Sequence, residues 1–169
     1  MRYLITLFLV LPLSLFSQTD SSDYYFNQGL FKLYQKKYET AIPYFNKAVN
    51  FNVKNKQAYN NLGLCHMNLD DHKKAISNYS KALDIDAKFV QARYNKAYCL
   101  YSLGDFDVAL PEFDRVIKET INFAKAFFYR GMCKISLNKF ESSCKDIQKA
   151  SSLEFSEAQM AAEIFCNDL

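Results

Sequence analysis

Glycine is scarce in this chain of 169 residues, where only Gly29, Gly63, Gly104 and Gly131 occur. A glycine-rich loop that cradles phosphate with its backbone N–H groups is therefore excluded. Histidine is scarcer still. His66 and His72 are the only two, six residues apart, and no cysteine or carboxylate is placed to complete a metal site of the usual spacing. Lys and Arg number 21 against 18 Asp and Glu, a net charge of +3 with no run of five or more basic residues. So even a spread argues against nucleic acid or an anionic membrane surface as partner. No Ser in a strand–helix elbow and no Cys–His nucleophile pair is evident. An enzyme is not expected, and neither a cofactor nor a metal is implied.

Long apolar runs are also missing. The longest, Tyr3 to Phe16, is about 14 residues, short of the roughly 20 that cross a bilayer as a helix. It follows Arg2 and precedes the polar Ser17, Gln18, Thr19 and Asp20, the pattern of a secretory signal peptide over 1–17. An uncleaved anchor is the alternative. With no cysteine at the junction, a lipoprotein signal is not supported. The reading is an exported protein, periplasmic or secreted, with no membrane span in its mature part.

What the chain has is a period. Gly29, Gly63, Ala97 and Gly131 stand 34 residues apart. The same step relates Ala41, Ala75, Ala109 and Ser143; Phe45, Tyr79, Phe113 and Ile147; and Ala48, Ala82, Val116 and Ala150. A period of this length marks stacked repeats. Small residues let two antiparallel helices approach, and the large one fills the space beside them. On these positions the chain resembles the tetratricopeptide (TPR) family over residues 22–157. The resemblance implies an all-α solenoid of four helix pairs, at 22–55, 56–89, 90–123 and 124–157, closed by a capping helix over 158–169. First helices are expected near 23–35, 56–69, 90–103 and 124–137, and second helices near 39–52, 73–86, 107–120 and 141–153. Turns are expected at Lys36-Lys37, Asp70-Asp71, Gly104-Asp105 and Asn138-Lys139. Pro43 and Pro111 share one repeat position, near the start of a second helix, where missing N–H groups cost little.

Three of the five cysteines, Cys65, Cys99 and Cys133, keep the 34-residue step and are expected as small buried side chains. Cys144 and Cys166 stand apart. Antiparallel packing brings their helix ends together, so a disulfide fits an oxidising compartment, the alternative being two unpaired thiols. The text around them is similar to the C-terminal ends of exported bacterial TPR proteins, which supports both bridge and export.

In this family the first helices line a concave wall. The corresponding rows are Asn27, Asn61, Asn95 and Tyr129; Phe26, Asn60, Tyr94 and Phe128; Leu30, Leu64, Tyr98 and Met132; and Asp23, Gln57, Gln91 and Lys125. Paired donors and acceptors on the asparagines suit the amides of an extended peptide, unless Asn here merely serves the scaffold. The cations with which one TPR subgroup grips chaperone C-termini are mostly missing. The expected role is therefore a non-catalytic module that binds a peptide segment or helix of an envelope protein. The alternative is an assembly component. Its first repeat holds Tyr24, Gln28 and Phe31 where the inner repeats turn Ala58, Leu62 and Cys65, then Ala92, Lys96 and Cys99, then Ala126, Arg130 and Cys133 toward the previous unit. It could therefore self-associate or dock through that open edge, unless the two rings merely shield it.

Overall fold

The computed structural model describes residues 13–166, and among these every regular element is a helix. Four pairs follow in order: α1 (Leu13–Tyr34) with α2 (Tyr38–Phe51), α3 (Lys56–Asn68) with α4 (His72–Ile85), α5 (Val90–Ser102) with α6 (Phe106–Glu119), and α7 (Ala124–Ser136) with α8 (Phe140–Ser152). A ninth helix, α9 (Ser156–Phe165), packs on α8. Consecutive helices pack on one another, and successive first helices touch, which is a TPR-like solenoid.

The repeat arithmetic explains the packing. Ala41, Ala75 and Ala109 are fully buried, as are Phe45, Tyr79, Phe113 and Ile147. Each large side chain lies under the small residue of the partner helix. A Cβ built on Gly63 would stand 2.5 Å from the Tyr79 ring, and one on Gly29 2.7 Å from the Phe45 ring. Because this space is already full, Ala75→Leu is expected to overpack the α3–α4 pair by about 1–3 kcal/mol. A urea titration checks this, and an unchanged midpoint would contradict the packing.

Turns between the helices of a pair share one device. Lys36, Asp70, Gly104 and Asn138 have φ of 57°, 63°, 83° and 58°, the left-handed conformation that ends a helix by a reversed hydrogen bond. These are the first members of the four expected turn dipeptides. Two expectations shift. Pro43 and Pro111 are each the sixth residue of α2 and α6, deeper than the first turn. Each deletes one backbone bond on a solvent-exposed side, where water can take the freed carbonyl. Helix α1 is already formed at Leu13, ahead of the expected 23, and no Gly or Pro interrupts the chain from there to Gly29. Of the expected leader, residues 1–12 lie outside the described residues, and 13–17 lie within α1. No helix among the described residues is long and apolar enough to cross a membrane.

The C-terminal cap is fastened twice. Ala158 and Ala161 bury against Cys144, Ile147 and Ala150, and a disulfide joins Cys144 to Cys166 with Cα atoms 5.5 Å apart. Cys65, Cys99 and Cys133 are free and buried, and burial pushes each thiol up to about 12. They stay protonated and unreactive.

Candidate functional site

Helix α5 places Gln91, Tyr94, Asn95 and Tyr98 at i, i+3, i+4 and i+7, one stripe along one face. Helix α7 adds Lys125 and Tyr129, one turn apart. With Met67 from α3, and with Phe155 and Glu157 from the entry to α9, these residues line a hollow of about 380 Å³. Every lining residue belongs to a first helix or to the cap. A hollow of about 470 Å³ at the α7–α8 turn is lined only by Asn138 to Ser142. It is a notch around a single turn.

Aromatic rings build the floor of the site. Tyr129 lies 5.0 Å from Tyr98, 5.2 Å from Tyr101, 5.2 Å from Phe128 and 6.5 Å from Tyr94, centroid to centroid. Tyr94 packs 4.7 Å from Phe123, the residue that opens α7, and Phe128 packs 5.2 Å from Phe155, which opens α9. Edge and tilted contacts of this kind hold rings rigidly. Burial, and then the neighbouring Tyr98, pushes the Tyr129 phenol up to about 12. Burial raises Tyr94 further. Both phenols therefore remain neutral hydrogen-bonding groups. At the rim, Lys125 and Glu157 carry opposite charges. The Glu157 carboxyl is held below its usual range by the Ser156 hydroxyl, a backbone N–H and, more weakly, Lys125.

Ion pairs behind the wall hold its helices. Arg93, next to Tyr94, donates to Glu112 of α6 at 2.7 Å, and Lys96 joins it at 3.4 Å. Burial works against the Glu112 carboxylate, yet Arg93 and Lys96 keep its pKa below the usual range. Arg130, next to Tyr129, donates to Asp114 of α6 and through two nitrogens to Asp146 of α8. The charges that lock α5 and α7 to the second helices thus aim the adjacent rings into the hollow.

Six of the expected wall residues, Gln91, Tyr94, Asn95, Tyr98, Lys125 and Tyr129, meet in the hollow. The others do not line it. Phe128 supports it from behind. Asn60 is buried and accepts a 3.4 Å bond from the Asn95 amide, while Gln91 donates to the Asn95 carbonyl oxygen at 3.0 Å. Asn60 and Asn95 thereby tie α3 to α5 and leave only part of Asn95 for a ligand. Asn61 is half-buried, Asn27 is exposed, and Phe26 packs 5.8 Å from Phe45 in the first repeat. Sequence reasoning missed Met67, Phe155 and Glu157. Phe155 has a signal, because Phe89 and Phe123 stand at the same place before α5 and α7. Its step is two residues short of the period.

The profile of the family described as anaphase-promoting complex, cyclosome, subunit 3 matches residues 34–116, just under half of the chain. No curated protein matches in sequence. Solved structures do match. MamA from Desulfovibrio magneticus RS-1 superposes with a TM-score of 0.77 at 22% identity, over 79% of this chain and 76% of that one. YrrB, described as a TPR protein with an unusual peptide-binding site, gives 0.76 at 22% identity, over 87% and 75%. The first TPR of Spaghetti (RPAP3), bound to an HSP90 peptide, gives 0.69 at 18% identity, over 71% and 95%. By fold, the chain is a TPR-like helical repeat protein.

Proposed function

We propose that this protein binds an extended peptide or a helix of another protein in the hollow between α5, α7 and the start of α9, without catalysing a reaction. The observation that carries this is the convergence of Tyr94, Asn95, Tyr98 and Tyr129 on one concave site. Rigid tyrosines supply contact area at little entropic cost. An apolar or aromatic partner side chain seats among the rings, and its backbone meets the Gln91 amide. Opposed charges at the rim trim the choice of sequence without dominating it. The peptide-bound and peptide-binding TPR relatives support the reading. The Cys144–Cys166 bridge and the apolar N-terminal run support export, to the periplasm or beyond, and hence a partner in the cell envelope.

Peptides selected from a random library on the purified protein provide the test. Tyr98→Ala and Gln91→Ala should each weaken them by about tenfold or more with the helical fold retained, as expected of hot-spot contacts. Selected peptides that bind both variants as tightly as the parent overturn the proposal. A second reading, docking through the first repeat, is favoured by Tyr24 and Phe31, which are 59% and 57% exposed.

A further inference from the structure

We infer that the occupant of the open N-terminal edge is a second copy of this chain, seated there by the outer face of its α9. The inference deepens the edge reading and rests on it. In the inner repeats the face turned toward the preceding unit is sealed: Ala58, Leu62 and Cys65 are at most 2% exposed, and Ala92 and Cys99, like Ala126 and Cys133, are fully buried. The same stripe of α1 carries Tyr24, Gln28 and Phe31, with both rings open to solvent. At the other end, α9 buries Ala158 and Ala161 against α8 and turns Met160 and Ile164 outward, one turn apart and 59% and 72% exposed. Each end of the solenoid thus presents an uncovered apolar stripe.

Charge decides how such stripes pair. The N-terminal edge carries Asp23 and Lys32, and the turn after α1 adds Lys36 and Lys37, so basic charge prevails there. Helix α9 has no basic residue; Glu163 lies beside Ile164, Glu154 precedes the helix, and Glu157 stands at the rim of the hollow. Two N-terminal edges brought together oppose lysines, and two caps oppose glutamates. Only the head-to-tail arrangement sets basic against acidic around the apolar contact. That interface uses a different surface on each partner, so it propagates and does not stop at a symmetric dimer.

Sedimentation of the purified full chain tests this with two exposed variants, Phe31→Glu at the N-terminal edge and Ile164→Lys on the cap. The parent should form species whose mass grows with concentration and falls as salt is raised. Each variant alone should be monomeric with an unchanged melting curve. An equimolar mixture should give a dimer and nothing larger, since one variant keeps a working cap and the other a working edge. A parent that stays monomeric at every soluble concentration overturns the inference, as does assembly that survives Ile164→Lys. So does a photoreactive group at Phe31 that captures only a different protein in cells, though that outcome keeps the edge reading. Neither variant touches the hollow, so selected-peptide binding reports separately on the groove.

Discussion

Asp146→Ala should destabilise the protein by about 3 kcal/mol, read as a lower urea midpoint at an unchanged slope. Asp146 is only 4% exposed, on α8, and accepts from Arg130 Nε at 2.8 Å and from a second Arg130 nitrogen. Lys134 Nζ stands 2.7 Å from Oδ2, the oxygen that also accepts from Arg130 Nε. Breaking a buried pair by deleting one partner costs roughly 3–5 kcal/mol because a charge stays behind without compensation. The lower end applies here. Arg130 keeps Asp114 at 2.7 Å, and Lys134 keeps the Ser142 carbonyl at 3.3 Å. A loss well under 1 kcal/mol would mean that water reaches the site and that the cluster behaves as a surface pair. Because Arg130 adjoins Tyr129, the same variant should also loosen the ring cluster and weaken selected peptides.

Reduction of the Cys144–Cys166 disulfide, or its removal by Cys166→Ser, is expected to cost about 3 kcal/mol, the chain-entropy value for a loop this long. The bridge spans 22 residues. Its effect should be uneven along the chain. Helix α9 packs chiefly on α8, so the cap should open first and expose Ile147 and Ala150, while α1 to α6 stay folded. Hydrogen exchange with and without reductant would show protection lost in α9 before α3 or α5. Phe155 and Glu157 belong to the wall of the hollow and are carried by this cap. Selected peptides should therefore bind the reduced protein more weakly. Equal midpoints and equal exchange in both redox states would show that packing alone holds the cap.

Much of this architecture was legible as text. The 34-residue step placed Phe45, Tyr79, Phe113 and Ile147 under their small partners. It located the inner helices to within one residue or so, and it marked Lys36, Asp70, Gly104 and Asn138 as turns. Those features are local, since period and turn chemistry repeat wherever the same side chains recur. The cysteines were legible for the same reason: three kept the step, and two lay at the ends of helices that must run antiparallel.

The site was only half legible. Tyr94, Tyr98 and Tyr129 could be assigned to the wall by register, but register does not say how far side chains on neighbouring first helices stand apart. The Asn95 amide reaches Asn60, so a pair read as a peptide clamp also serves as a buried tie between α3 and α5. The end of α8 was the other blind spot. Ser152, Leu153 and Glu154 repeat the helix-ending pattern of Ser136, Leu137 and Asn138, and Glu154 takes the left-handed φ of 62°. Phe155 N–H then donates to the Ala150 carbonyl as Lys139 N–H does to Lys134. The chain therefore turns after α8 as it does inside a pair, two residues early, and swings Phe155 and Glu157 onto the hollow. Sequence alone determined the repeat, its helices and its buried rows, because these follow from side-chain size at a constant spacing. Only the tertiary structure decided which wall residues line the hollow and which face each other, because that depends on the offset between packed helices.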